Sequence, residues 1–251
     1  MISTNNIQKN YGKESVLKDI DVSLASGKLT AFIGPNGAGK STLLAIMSRL
    51  LEQSTGDIYL KEKELKSWKQ KELAKELAVL KQQNNIPINI SVKELVSFGR
   101  FPYQRGKLST KDQEIINDAI KTMGLEPLID KCISEISGGQ LQRAYIALIL
   151  AQDTDVILLD EPLNNLDMNY AVSIMQFLQK LAHEKNKTIA IVIHDINFAA
   201  SYADEIVAMK DGQLFKTGST EEVIQKEVLS ELYDMPIRIC NIEGRRFCLY
   251  Y

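Results

Sequence analysis

Cysteine is scarce in this chain: three among 251 residues, with no paired spacing. That excludes a disulfide framework and fits a reducing compartment, where isolated thiols stay free. An excess of charge of one sign is missing too. Thirty basic residues face 32 acidic ones for a formal net charge of −2, so no basic footprint points to nonspecific nucleic-acid binding. No apolar run approaches the ~18 residues needed to span a bilayer. Met1 to Asn6 lacks the basic-then-apolar order of a signal peptide, and no repeat or low-complexity tract appears. What remains is a chain expected to be soluble by itself, either one large α/β domain or one domain with inserted lobes.

Apolar patterning supplies the elements. Val16–Leu24 alternates like a half-buried strand, and Leu29–Ile33 reads as a short buried strand running into Gly34. Ser41 to Leu51 has helical spacing; Ile58–Leu60 is a strand, Glu62 to Lys75 turns charged and helical, and Leu77–Leu80 is again a buried strand. From about 86 to 151 an inserted helical lobe is expected, with a capping-box pattern at Ser91 to Glu94 and an amphipathic stretch Thr110 to Met123. The core resumes with Val156–Leu159, the helix Asn169–Glu184, the strand Thr188–Ile193 and the helix Ile196–Ala203. A hairpin then turns at Asp211-Gly212, and residues 237–251 read as a second hairpin about Glu243-Gly244. That turn sets Cys240 opposite Phe247 and Cys248 opposite Ile239, so these cysteines are packing residues rather than a redox pair. Strands alternating with helices predict a mostly parallel core sheet with crossover helices.

Chemistry concentrates at a few points. Gly34-Pro35-Asn36-Gly37-Ala38-Gly39-Lys40-Ser41-Thr42 matches the phosphate-loop pattern and lies between a buried strand and a helix. Its glycines let backbone N–H groups close on phosphate oxygens, Lys40 adds a point charge, and Ser41 is a candidate Mg²⁺ ligand. Asp160 and Glu161 follow four aliphatics and project at the carboxyl edge of the sheet, where such folds bind ligands. Asp160 would hold Mg²⁺ through water, and Glu161 would polarise an attacking water. His194 follows the strand Thr188–Ile193. Alone it reads as a structural histidine satisfied at a strand end, and its position relative to the other motifs points instead to the γ-phosphate and that water. His183 reads as part of a solvated helix face. Between loop and carboxylates stands Ser137-Gly138-Gly139-Gln140, a glycine turn opening a helix and thus a second anion site.

In this order the motifs resemble those of the ATP-binding-cassette ATPases, over essentially the whole chain. The resemblance identifies Gly34–Thr42 as Walker A, Gln82 as the Q-loop glutamine, Ser137–Gln140 as the signature, Val156–Glu161 as Walker B, Asn164-Asn165-Leu166-Asp167 as the D-loop and His194 as the switch histidine. Gln83 leaves a one-residue ambiguity at the Q-loop. Departures are mild: Ile136 precedes the signature, Leu141 follows it, and Asn164-Asn165 replace the small or threonine residues usual in the D-loop. The fold implied is an α/β P-loop NTPase with an N-terminal antiparallel β lobe, residues 2–236 forming the ATP-binding domain ahead of the hairpin tail.

The resemblance also implies ATP and Mg²⁺ as ligands, with Asn36, Gly37, Gly39, Lys40, Ser41 and Thr42 on the nucleotide and Ser41, Gln82 and Asp160 about the metal. Tyr11 matches the aromatic that stacks on adenine, a contact of only ~0.5–1.5 kcal/mol; its other reading is a core tyrosine of an edge strand. A head-to-tail homodimer follows, with Ser137, Gly138, Gly139, Gln140 and Asp167 of one copy on the ATP held by Lys40 of the other. The catalytic set is Glu161, His194, Gln82 and Lys40.

With one cassette, no span and no coiled-coil insertion, the expected partner is an integral-membrane permease, reached from the cytoplasmic face, with an extracellular or periplasmic substrate-binding protein acting indirectly. The stretch Glu94–Tyr103 and the wording around Asp160 and His194 look like those of iron–siderophore importer ATPases. Haem, cobalamin or metal-ion import is the alternative within transport, and a soluble ATPase with a non-membrane partner the alternative outside it. Phe101 and Tyr103 read either as lobe packing or as lining for the permease.

Overall fold

The computed structural model describes residues 1–82, 89–104 and 106–250. The chain opens with β1 (Ile2–Tyr11), a strand that sequence patterning misses because only Ile2, Thr4 and Ile7 of its ten polar-rich positions are buried. β1 pairs antiparallel with β2 (Glu14–Ile20) and, at its start, with β3 (Ser23–Leu24). The single strand expected over Val16–Leu24 is therefore two. The break is held at Val22, whose N–H donates to the Thr4 hydroxyl at 2.9 Å rather than continuing the β1–β2 ladder.

β4 (Leu29–Ile33), buried at every position, delivers the chain to the glycine loop and to α1 (Lys40–Met47). α1 stops at Ser48, short of the expected Leu51, and Arg49 turns the chain with a left-handed φ of 58°. β5 (Thr55–Leu60) and β6 (Lys63–Glu64) complete an antiparallel sheet of order β2-β1-β5-β6. Of the charged stretch expected to be helical, only its second half forms α2 (Gln70–Glu76), ahead of β7 (Leu77–Leu80).

The helical lobe holds α3 (Val92–Ser97), α4 (Thr110–Thr122) and α5 (Gly138–Gln152). Capping boxes at Ser91 with Glu94 and at Ser109 with Asp112 satisfy the first N–H groups of α3 and α4. Arg100, buried in a 3₁₀ turn between them, donates to Asp112 at 2.8 Å and to the Ala151 carbonyl at 2.9 Å, so one guanidinium joins α4 to the end of α5. Its ring contact with Tyr103, 4.0 Å to the centroid, draws that side chain into lobe packing, while Phe101 stays 70% exposed. The boundary placed near residue 86 lies outside the described residues.

β8 (Val156–Asp160), α6 (Met168–Lys185), β9 (Thr188–Val192), α7 (Ile196–Tyr202), β10 (Glu205–Lys210) and β11 (Gln213–Ser219) follow. The core sheet runs β11-β10-β4-β9-β8-β7, parallel except for the β10–β11 hairpin. Its inner strands β4, β8 and β9 are buried on both faces: Ile157 and Leu159 enter the core shared with the helical lobe, Val156 and Leu158 the core shared with the N-terminal sheet. β4, β8 and β9 lie side by side, so Gly34, Asp160 and His194 emerge at one carboxyl edge. The result is an α/β P-loop NTPase fold with a mostly parallel core sheet.

Two helices without a sequence expectation, α8 (Thr220–Val223) and α9 (Lys226–Tyr233), lead to β12 (Arg238–Ile242) and β13 (Arg245–Leu249). The hairpin register pairs Ile239 with Cys248 and Cys240 with Phe247. Among the described residues no helix is long and apolar enough to cross a membrane.

Candidate nucleotide site

The glycine loop is shaped by what it must avoid. Gly34 has φ 139°, and a Cβ there would lie 2.0 Å from the Met209 carbonyl oxygen, so no side chain fits. Gly39 is the N-cap of α1 in a left-handed conformation with no side-chain cap, and no acidic residue stands in the first turn. The N–H groups at that helix end therefore keep no side-chain partner of their own, a standing arrangement for an anion. Above Gly37, φ 81°, there is open space where a Cβ would stand. Asn36 is exposed beside it.

Lys40 folds back over the loop. Its ammonium donates to the Gly34 carbonyl at 2.7 Å and to the Pro35 carbonyl at 2.9 Å, and the residue is 5% exposed. Burial pulls its pKa below the usual lysine value, against the opposing pull of the Glu161 and Asp160 charges. No carboxylate lies within ion-pair distance among the described residues. A buried ammonium held only by carbonyl dipoles is short of counter-charge, which a polyphosphate would supply.

Ser41 donates its hydroxyl to Asp160 Oδ1 at 2.8 Å. Burial raises the Asp160 pKa, reinforced by the Glu161 charge and resisted by the Ser41 bond, His194 and Lys40. A serine oxygen and a buried carboxylate in contact form a hard oxygen pair suited to Mg²⁺, so the residues present fit the ion. Tyr11, Ser41, Thr42, Gln82 and Asp160 line one open cleft of about 570 Å³, bounded by Leu44, Leu50 and Leu51. Tyr11 is 52% exposed at its rim, which removes the reading of a core tyrosine; the Lys9 ammonium sits 5.0 Å from the ring centroid.

Glu161 lies just past the end of the strand that carries Asp160. β8 ends at Asp160, and Glu161 takes φ 51°, so the direction of its side chain comes from a left-handed turn rather than from strand alternation. Such backbone typically costs ~1–3 kcal/mol and persists where the surroundings over-determine it. Here they do. Oε2 accepts from Gln82 Nε2 at 2.7 Å and from Asn164 Nδ2 at 2.6 Å, and Oε1 lies 2.6 Å from His194 Nε2. Burial would push this carboxyl up, but the His194 bond, the Asn164 bond, the His194 charge and the Gln82 bond prevail and hold it below the usual glutamate value. Gln83, the other residue of the doublet, lies outside the described residues.

The glycine turn stands apart from that cleft. Ser137 caps α5: its Oγ accepts from the Gln140 N–H at 3.3 Å, and Gln140 Oε1 accepts from the Ser137 N–H at 2.9 Å. A Cβ on Gly138 would meet nothing within 4 Å, whereas one on Gly139 would lie 2.8 Å from the Asn165 carbonyl oxygen. Gln142 Nε2 donates to the Pro162 carbonyl at 3.0 Å, tying α5 to the loop that follows Glu161. Asp167 caps α6 by accepting from the Tyr170 N–H at 3.0 Å. None of Ser137, Gly138, Gly139, Gln140 or Asp167 lines the cleft that holds Ser41 and Asp160. His183 bonds Asp204 at 2.9 Å on the outer face of α6.

Sequence reasoning gave no role to Asn164, although its i+3 spacing from Glu161 across a turn was available as a signal. Tyr233 was out of reach: its hydroxyl meets the Gly34 N–H at 3.1 Å from 199 positions away.

A family model described as ABC transporter matches residues 17–164. The petrobactin import ATP-binding protein YclP of Bacillus subtilis (strain 168) is 52% identical over 251 residues, covering 100% of each chain. The iron(3+)-hydroxamate import ATP-binding protein FhuC of the same organism is 39% identical over 254 residues, covering 100% of this chain and 94% of that one. Among solved structures, the dimeric bacterial ABC transporter cassette MJ0796 superposes with a TM-score of 0.80 at 32% identity, covering 88% of this chain and 99% of that chain.

Proposed function

The chain belongs to the ABC transporter family, and from that premise we propose that it is the ATP-hydrolysing subunit of an importer that carries an iron–siderophore complex through a membrane permease. The observation that carries the reading is the Glu161 carboxylate, held by three side chains beside the Ser41–Asp160 pair and the Lys40 loop.

Lys40 and the N–H groups from Gly37 to Thr42 bind the β- and γ-phosphates, Asn36 flanks them, and Tyr11 offers its exposed ring to the adenine. Ser41, Asp160 and Gln82 would hold Mg²⁺, which would supply charge neutralisation on the phosphate oxygens. Glu161 Oε accepts a proton from the water that attacks the γ-phosphorus while the bond to the β,γ-bridging oxygen breaks and ADP leaves. A positioned base of this kind contributes ~10²–10⁴-fold. His194 orients that water and the γ-phosphate once it has turned from Glu161. A second copy completes the site: its Ser137, Gly138, Gly139, Gln140 and Asp167 face the ATP held by the first copy's Lys40. The separation of the glycine turn from its own chain's cleft supports this arrangement. The homodimer works at the cytoplasmic face of the membrane, peripheral through the permease, with a substrate-binding protein delivering cargo on the other side. Siderophore cargo is supported by the two relatives, ATP-binding proteins of petrobactin import and of iron(3+)-hydroxamate import.

The test is uptake of ⁵⁵Fe-labelled siderophores by cells lacking the gene for this chain. Wild-type protein should restore uptake of at least one ferric siderophore and Glu161→Gln should not. Unimpaired uptake of every siderophore in the deleted cells, with loss of haem, cobalamin or metal-ion uptake instead, would move the cargo to another class.

A further inference from the structure

The segment after the core sheet meets the nucleotide site at two places. From α9, the Tyr233 hydroxyl accepts the Gly34 N–H at 3.1 Å, just past the point where β4 leaves its ladder. The Gly34 carbonyl meanwhile accepts from Lys40, and the Met209 carbonyl closes on its Cα. The first residue of the phosphate loop is thus gripped on every side. The grip is anchored: Lys210, next to Met209, donates to the Glu231 carbonyl at 2.6 Å and to Asp234 at 2.7 Å, one on each side of Tyr233.

The second meeting point is α7, which starts two residues after His194. Asn197, in its first turn, uses both edges of its amide on one residue of β13, accepting from the Cys248 N–H at 2.7 Å and donating to the Cys248 carbonyl at 3.2 Å. Leu229, Leu232, Ile237 and Cys248 sit in the same core as Ile33 and Ile196, so α9 and the hairpin are packed onto both elements rather than appended to them.

We propose that Tyr233 is a positioning residue for the phosphate loop, and that the C-terminal segment, fastened through Asn197 to the helix behind His194, is a brace that sets the loop's ATP-binding geometry. The inference rests on the reading of the Gly34–Thr42 loop as the phosphate site. Burial pushes the Tyr233 phenol up to about 12, so its oxygen serves as a neutral acceptor at any working pH. A phenylalanine would fill the same space and leave the Gly34 N–H without that acceptor.

The experiment compares wild type, Tyr233→Phe, Asn197→Ala, the double variant and Lys40→Ala for ATP affinity and steady-state hydrolysis. Loss of one hydrogen-bonded acceptor corresponds to an ATP Kd and KM about fivefold weaker in Tyr233→Phe, with kcat at saturating ATP retained. Asn197→Ala should move KM the same way, and the double variant should fall short of the sum, because both act through one brace. Tyr233→Phe at wild-type affinity, while Lys40→Ala loses ATP, would overturn the brace and leave the phosphate site standing. Lys40→Ala at wild-type affinity would instead overturn the phosphate-site reading. If Tyr233→Phe fails to fold, amide exchange in the unmutated, nucleotide-free chain decides. Protection of the Gly34 N–H supports the brace, and exchange at the solvent rate refutes it.

Discussion

Asn164 donates its side-chain amide to Glu161 Oε2 at 2.6 Å, across the turn whose main chain is closed by the Asn164 N–H on the Glu161 carbonyl. The residue following the carboxylate by three thus fixes the conformation of the loop and the direction of the acid together. Asn164→Ala removes the side-chain bond and leaves the main-chain turn in place. Hydrolysis should fall about tenfold in kcat while ATP binding is retained, since one hydrogen bond to a charged group is worth ~1.5–3 kcal/mol. Asn164→Asp, of the same shape, should fall further, because it sets a second carboxylate against the first. Steady-state kinetics with an ATP-binding titration separates these outcomes; an Asp variant more active than the Ala variant would show that Asn164 acts through shape alone.

Glu161→Gln tests the base itself. The amide keeps the length of the side chain and can still meet His194, Gln82 and Asn164 by rotation, yet it cannot take a proton from water. Phosphate release should fall by roughly 10²–10⁴-fold, and the variant should accumulate as an ATP-loaded dimer detectable by size-exclusion chromatography with multi-angle scattering. Turnover near the wild-type rate would remove Glu161 from that role.

The legibility of this chain follows the range of the forces involved. β4, β8 and β9 are buried at every position, so their continuous aliphatic runs announced them, and the loop between β4 and α1 carried its own glycine pattern. β1 was invisible because a central strand of a half-solvated sheet needs only Ile2, Thr4 and Ile7 inside. The four residues of the glycine turn were legible as a motif, but the need for Gly139 was not, since it comes from the Asn165 carbonyl 26 positions later. The same holds for Glu161, whose aim depends on Gln82, Asn164 and His194, contributed by three separate loops.

The helical lobe carries an acid-sensitive joint. The Ser109 hydroxyl, the Arg100 guanidinium and the Ser109 N–H all donate to Asp112, and together they hold its carboxyl at about 2 against 3.8 for an unperturbed aspartate. A folded value below the unfolded one means that ionised Asp112 stabilises the fold above pH 3.8 and loses that contribution as pH falls through about 2. Asp112→Asn should therefore be less stable than wild type near neutrality, and the difference should shrink below pH 4 and vanish near pH 2. Urea unfolding followed by circular dichroism across that range reads the gap; a gap that stays constant to pH 2 would mean the ionised form contributes nothing.

Gly138 and Gly139 are neighbours with opposite surroundings, and that contrast separates folding from assembly. A Cβ on Gly139 would stand 2.8 Å from the Asn165 carbonyl oxygen, a backbone atom that cannot rotate away, so Gly139→Ala must push α5 off the loop that links Glu161 to α6. Contacts below 3 Å with backbone force a shift of the main chain, and overpacking of this kind costs about 1–3 kcal/mol. The shift lands where Asn164 bonds Glu161, so Gly139→Ala should lower both thermal stability and hydrolysis. A Cβ on Gly138 meets nothing within 4 Å in its own chain, and alanine is a better helix former than glycine by about 1 kcal/mol. Gly138→Ala should therefore melt at or above the wild-type temperature and bind ATP as well as wild type. If the open face of Gly138 is where a second copy's ATP arrives, the same variant should nonetheless lose hydrolysis. A Gly138→Ala protein with full stability and full turnover would place the second copy's phosphate elsewhere.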